Sequence, residues 1–161
     1  MSVSTALQSY AADQQVAPRW FLNTLTWIKA TGEQTGGRLS LVEHLVPGGS
    51  ASPWHVHHTE DESFYVIEGQ LTVVIGDRRL SLRSGGYGFG PRDVPHAFRV
   101  EGEQPARILL LTTSGDLAHF MLEASEPATA PTLPEPHEPD LGRLAALAAK
   151  YGTELLGPFP E

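Results

Sequence analysis

The sequence predicts an all-β fold, an antiparallel barrel or sandwich followed by a short helix and a C-terminal helix. Three observations point there. The 161 residues include 16 glycines and 13 prolines, well above the ordinary combined share of roughly 12%, so the chain turns often and its elements are short. Runs of β-forming residues recur at intervals of roughly 8–12 residues, each closed by Gly or Pro, which is the rhythm of sandwiches and barrels. Helical periodicity enters only in the last third of the chain. The length suits one domain with one core.

Residues 1–18 carry little periodicity and read as an N-terminal arm. Residues 19–125 hold the barrel and a short following helix. Trp20-Phe21-Leu22, Leu25-Thr26-Trp27-Ile28 and Leu39-Ser40-Leu41-Val42 read as strands, with a break at Thr35-Gly36-Gly37 and a turn at Pro47-Gly48-Gly49. Residues 62–67 and 70–75 flank Glu68-Gly69, where glycine can supply the positive φ of a tight hairpin. Gly76-Asp77 turns the chain into Arg79-Leu80-Ser81-Leu82, and Ser84-Gly85-Gly86 and Pro91-Arg92-Asp93 interrupt it again. Residues 96–100 and 107–112 are the last expected strands. Leu117, Phe120 and Met121 fall at i, i+3, i+4 and predict a helix over an apolar surface. Residues 126–139 contain five prolines and predict an extended strap. Residues 140–161 begin with Asp140 as N-cap. The helix that follows has Leu141, Leu144, Ala145, Ala148 and Tyr151 on one face and Gly152 at its end.

Charge and composition exclude several functions. The net charge is −8, against a phosphate-backbone partner, which needs clustered Lys and Arg. There is no Cys, so disulfides, thiolate metal sites and Cys nucleophiles are excluded. No apolar run approaches a membrane span of ~20 residues, and no basic start followed by an apolar stretch marks a secretion signal. A cytoplasmic protein without nucleic-acid or membrane partners is expected.

The histidines carry the chemistry. Three of seven lie in Trp54-His55-Val56-His57-His58. On a strand His55 and His57 share a face, with Cα atoms roughly 7 Å apart, and His58 points away. Glu62 lies at an odd offset from His57, so residues 58–61 must turn for it to join them. A two-residue hairpin at Glu68-Gly69 would pair Ile67 with Gln70, Val66 with Leu71, Phe64 with Val73 and Glu62 with Ile75. Glu62 would then be the one polar member of an apolar row, which is costly unless it is paired or binds metal. His96 stands likewise among Val94, Phe98 and Val100, with Ala97 and Arg99 facing away. A metal held by His55, His57, Glu62 and His96 explains all four. Neutral imidazoles and a carboxylate suit one divalent ion of Fe, Mn, Ni, Co, Cu or Zn, with a position left open for substrate. Phe64, Val73 and Phe98 either fill the barrel or line its cavity. Residues His58, Glu60 and Asp61 read as a solvated turn, and His44, His119 and His137 as structural or exposed. Tyr65 and Ile67 face outward, toward a second buried layer or a subunit interface.

These residues resemble the cupin superfamily. Gly49, five residues, His55-Val56-His57, four residues, Glu62, six residues and Gly69 reproduce its first motif. Gly85, Pro91 and His96 fit the second, with Asp93 where Gly is expected and Val100 where Asn is expected. The resemblance implies a small antiparallel β-barrel of jelly-roll type, the same four ligands and a homodimer. The segments 31–37, 55–69, 91–100 and 143–158 are similar to single-domain cupins related to quercetin 2,3-dioxygenase. That similarity implies a metal-dependent dioxygenase acting with dioxygen on a flavonol-like or other enolisable aromatic substrate. Glu62 would be the catalytic base, and Phe64, Val73, Phe98, Phe120 and Met121 would bind substrate. Two other readings keep the fold: a metal-dependent isomerase, cyclase or epimerase that uses no oxygen, and a non-catalytic small-molecule-binding cupin.

Overall fold

Two antiparallel sheets face each other across one apolar interior, forming a jelly roll. The computed structural model describes residues 16–161, so most of the arm read for residues 1–18 lies outside the described residues. The strands are β1 (Arg19–Phe21), β2 (Thr24–Ala30), β3 (Ser40–Val46), β4 (Trp54–His57), β5 (Glu62–Glu68), β6 (Gln70–Ile75), β7 (Arg78–Arg83), β8 (Tyr87–Gly90), β9 (His96–Val100), β10 (Ala106–Thr112), β11 (Glu126–Pro127) and β12 (Thr153–Gly157). The helices are α1 (Gly32–Thr35), α2 (Asp116–Ala124) and α3 (Leu141–Lys150). One sheet runs β11-β1-β2-β3-β10-β5-β8 and the other β12-β4-β9-β6-β7.

The hairpin expected at Glu68-Gly69 does not form. Both neighbours of β5 are taken by β10 and β8, and both neighbours of β6 by β9 and β7. The chain instead crosses from one sheet to the other at Gly69. That residue has φ 92°, and an added Cβ would lie 2.8 Å from the Ala106 Cβ, so the corner admits no side chain. Glu62, Phe64 and Val66 are still buried, as are Leu71 and Val73. The two rows meet across the interior rather than side by side. The Gly76-Asp77 hairpin is as expected, with Ile75 opposite Arg78.

Strands β8 and β12 and the short helix α1 were not anticipated. In α1, Thr31 and Gln34 make a capping box and Gly36 closes the turn at φ 63°. Helix α2 buries Leu117, Phe120 and Met121 as its periodicity predicts. Asp140 caps α3 by accepting from Arg143 N at 3.0 Å. The buried face of α3 is narrower than expected: Leu144 and Ala148 are buried, while Leu141 and Ala145 are exposed. After β11, which pairs with β1, the chain bends at residues 129–132 and continues without regular structure to residue 139, and Trp20 Nε1 donates to Thr132 O at 2.8 Å. Asn23 and the His137 backbone exchange two hydrogen bonds. Ala97 does face away from the barrel interior, yet it is fully covered by Phe159, Val74 and Trp54. Among the described residues no helix is long and apolar enough to cross a membrane.

His44 on β3 is buried, and its Nδ1 lies 2.8 Å from Thr26 Oγ1. Burial pushes its pKa down to about 4. The unfolded chain takes up this proton near pH 6.5 and the folded chain only near 4. The unfolded state therefore binds more protons in between, and stability falls as pH drops through that window, by about 3 kcal/mol from this residue alone. Urea unfolding of His44→Gln from pH 7 to pH 4 should show an acid loss smaller by about that amount than the wild type. The Gly69→Ala substitution should lower stability by about 2 kcal/mol, from the left-handed φ and the contact with Ala106.

Candidate metal centre

Strand alternation puts His55 and His57 on the inner face of β4. On the two flanking strands, His55 is opposite His96 of β9 and His57 opposite Thr153 of β12. Glu62 opens β5 in the other sheet, so the site straddles both sheets. The turn at 58–61 brings it there, and that turn is braced. Asp61 accepts from the Arg92 guanidinium at 3.2 and 3.1 Å and from Arg92 N at 2.9 Å. Arg92 accordingly holds the Asp61 carboxyl down at about 2. Asp93 N donates to His57 O at 2.8 Å, and the Asp93 carboxylate lies 2.7 Å from His58 Nδ1. On the β8 side Gly90 lies opposite Glu62, and a Cβ there would come within 3.0 Å of His96 Nδ1.

The three imidazoles turn the same nitrogen inward. Nε2 of His96, His57 and His55 lies 2.9, 3.4 and 3.8 Å from Glu62 Oε2. Each Nδ1 points outward to a partner: Pro53 O at 2.7 Å for His55, Val94 O at 2.9 Å for His96, and Thr153 Oγ1 at 2.8 Å for His57. A carbonyl only accepts, so His55 and His96 carry hydrogen on Nδ1 and present Nε2 to the centre. His57 Nε2 is buried with no hydrogen-bond partner.

A metal ion fits this donor set. The four ligand atoms lie within 4.8 Å of one another. Ligands at ~2.1 Å from one ion stand about 3 Å apart at right angles and about 4.2 Å apart across it. Burial works against the Glu62 carboxylate, but the three imidazoles gathered around it outweigh burial and hold it well below the usual carboxylate range. Burial lowers the His55 pKa, with Glu62 opposing. At His57 burial also acts downward, but the Glu62 and Glu60 carboxylates outweigh it and the net shift is up. Phe64 stands edge-on to His96, ring centroids 5.7 Å apart, and Phe98 lies 6.3 Å beyond it. Val73 pairs with Phe98 across β6 and β9. Phe120 packs against Phe21 and Tyr151, and it shares one core with Met121, Phe64, Val73 and Phe98.

Two nearby residues escaped the sequence reading. Glu60 does not belong to a solvated turn: it is 1% exposed. Its Oε2 accepts from Ser114 Oγ at 2.7 Å and Leu117 N at 3.4 Å, and its Oε1 lies 3.5 Å from His57 Nδ1. Burial pushes its carboxyl up. Thr153 sits on the unanticipated β12. Nothing local marks either one, since Thr59-Glu60-Asp61-Glu62 is uniformly polar and the cover over Glu60 comes from α2. His58, in contrast, is exposed as expected.

Comparison with known proteins agrees with this architecture. Residues 41–112, from β3 through β10 and including all four candidate ligands, match the family described as "Cupin domain". Quercetin 2,3-dioxygenase of Bacillus subtilis (strain 168) is 31% identical over 93 residues, 58% of this chain but only 27% of that protein. The chain thus spans about a quarter of the length of that relative. Among solved structures, KdgF from Halomonas sp. superposes with a TM-score of 0.59 at 18% identity, over 69% of this chain and 98% of that one. The polyketide cyclase RemF from Streptomyces resistomycificus gives 0.55 at 24% identity, over 65% and 79%. The matched stretch is just under half of the chain, and its motif spacing and jelly-roll fold are those of the cupin domain it resembles.

Proposed function

We propose that this chain is a metal-dependent dioxygenase of flavonol-like or other enolisable aromatic substrates. The observation that carries the proposal is a buried anionic carboxylate, Glu62, that shares one point with three imidazole nitrogens beside the Phe64 ring. His55, His57, Glu62 and His96 would hold one divalent ion per chain, of Fe, Mn, Ni, Co, Cu or Zn. When bound, such an ion supplies Lewis acidity toward a substrate oxygen and, if redox-active, a route for electrons to dioxygen. Glu62 accepts the proton from the substrate hydroxyl, which leaves an electron-rich enolate. Phe64, Val73 and Phe98 hold the aromatic rings and exclude water, and Phe120 and Met121 close the α2 side of the same core. The similarity to a quercetin 2,3-dioxygenase supports this substrate class.

A second reading rests on Glu62 itself. A carboxylate held as an anion moves a proton with or without dioxygen, so a non-oxidative isomerase, cyclase or epimerase would use it equally. One protein that shares the fold is described as a polyketide cyclase. A non-catalytic binding protein is the third reading. The proposed setting is cytoplasmic and the proposed assembly a homodimer. Its interface would be the outer face of β5 and β8, where Tyr65, Tyr87 and Phe89 are exposed.

Protein purified without a His-tag column, of measured metal content, should consume oxygen and bleach quercetin in air but not under nitrogen. Equal turnover of a substrate under nitrogen would establish the non-oxidative reading, and saturable binding without turnover the third. The Glu62→Gln variant should lose roughly 100-fold or more in kcat at saturating metal. Added Co(II) or Zn(II) should raise the melting temperature of the wild type, and His96→Ala should abolish that rise.

A further inference from the structure

We infer that the segment beyond the matched domain, residues 113–161, builds the outer shell of the metal centre and couples metal binding to its own docking through His57. The inference depends on the ion sitting among His55, His57, Glu62 and His96. His55 and His96 orient themselves locally, each by a backbone carbonyl two residues earlier in its own segment. His57 has no such local partner. To give its Nε2 lone pair to an ion it must carry hydrogen on Nδ1. The two acceptors within reach of that N–H are Thr153 Oγ1 at 2.8 Å and Glu60 Oε1 at 3.5 Å.

Both acceptors depend on the C-terminal segment. Thr153 opens β12, which pairs with β4 along the outer edge of the sheet. Glu60 is held from its far side by Ser114 Oγ and Leu117 N at the start of α2. Its Oε1 is buried and has no hydrogen-bond partner. That is expensive in isolation, and the His57 Nδ1 hydrogen is placed to relieve it, with Nδ1 3.5 Å from this oxygen. A third contact locks the same corner: His58 N donates to Gly152 O at 2.8 Å. At Gly152 (φ 72°) a Cβ would lie 2.8 Å from Thr59, so the end of α3 seats directly on the 58–61 turn. Glu60 and Thr153 are thus positioning residues: they fix the tautomer and ring plane of one ligand and touch neither ion nor substrate.

The coupling is tested by competition of Zn(II) and Co(II) against a chromogenic chelator at fixed pH, with hydrogen exchange followed by mass spectrometry. Thr153→Val and Glu60→Gln should each weaken metal binding roughly tenfold or more. Thr153→Ser should restore wild-type affinity, and Leu156→Ala, at an exposed position on the same strand, should leave it unchanged. Zn(II) should slow amide exchange across 153–157 and at the start of α2 in the wild type, and do so less in Thr153→Val. Affinities of both outer variants within twofold of wild type, with His96→Ala alone losing the ion, would overturn this inference and leave the metal site standing. Exchange in β12 indifferent to Zn(II) would overturn it as well. A wild type that binds no ion, or a His96→Ala that binds as tightly as wild type, would overturn the site and the inference together.

Discussion

A carboxylate almost without water contact is the constraint around which this molecule is arranged. Glu62 is 3% exposed, and a lone anion at such a place is strongly unfavourable. Three imidazoles converge on one of its oxygens and keep it charged. Two come from β4 and one from β9 in one sheet, while Glu62 belongs to β5 in the other. The electrostatic requirement is therefore also a requirement on how the sheets face each other. An ion at that point meets the same demand with a full positive charge, so one arrangement serves both the stability of the interior and the binding of metal.

The candidate site was legible because side-chain parity is a local property. His55 and His57 share a face and His58 does not, whatever strand lies next to β4, and the same holds for His96 between Val94 and Phe98. Pairing is not local. Glu68-Gly69 between two β-rich runs looks the same whether the runs become neighbours or part into different sheets. Only β10 and β8, both distant in sequence from that turn, settle which occurs. The expected hairpin was therefore wrong while the burial of Glu62 deduced from it was right: Phe64, Val66, Leu71 and Val73 face one interior in either geometry.

Glu60 and β12 stayed hidden for a related reason. Composition predicts that a run of four polar residues is solvated, and for His58 it is. Glu60 is buried because α2 and Ser114, more than fifty residues later in the chain, close over it. Strand β12 is five residues long and follows directly on a helix, too short and too near Gly152 to declare itself by alternation. Both belong to the part of the chain whose contacts are mostly tertiary.

The two departures from the family's second motif bear on the frame and leave the ligands alone. Asp93 has φ 62°, a left-handed conformation that glycine adopts freely and aspartate tolerates. What Asp93 adds is a side chain: its carboxylate reaches His58, while its backbone N–H bonds His57 O. The loop before His96 is thereby tied to the strand that carries the other two imidazoles, a link that glycine would make only through its backbone. At Val100 the side chain is buried and lies opposite Leu71, and the backbone bonds Ser50 and Gly49. An amide there would face an apolar row with no partner, whereas valine continues it. At Asp93 the sequence gives up glycine and gains a side-chain tie from the loop before β9 to His58, and at Val100 it gives up an amide and gains apolar packing opposite Leu71.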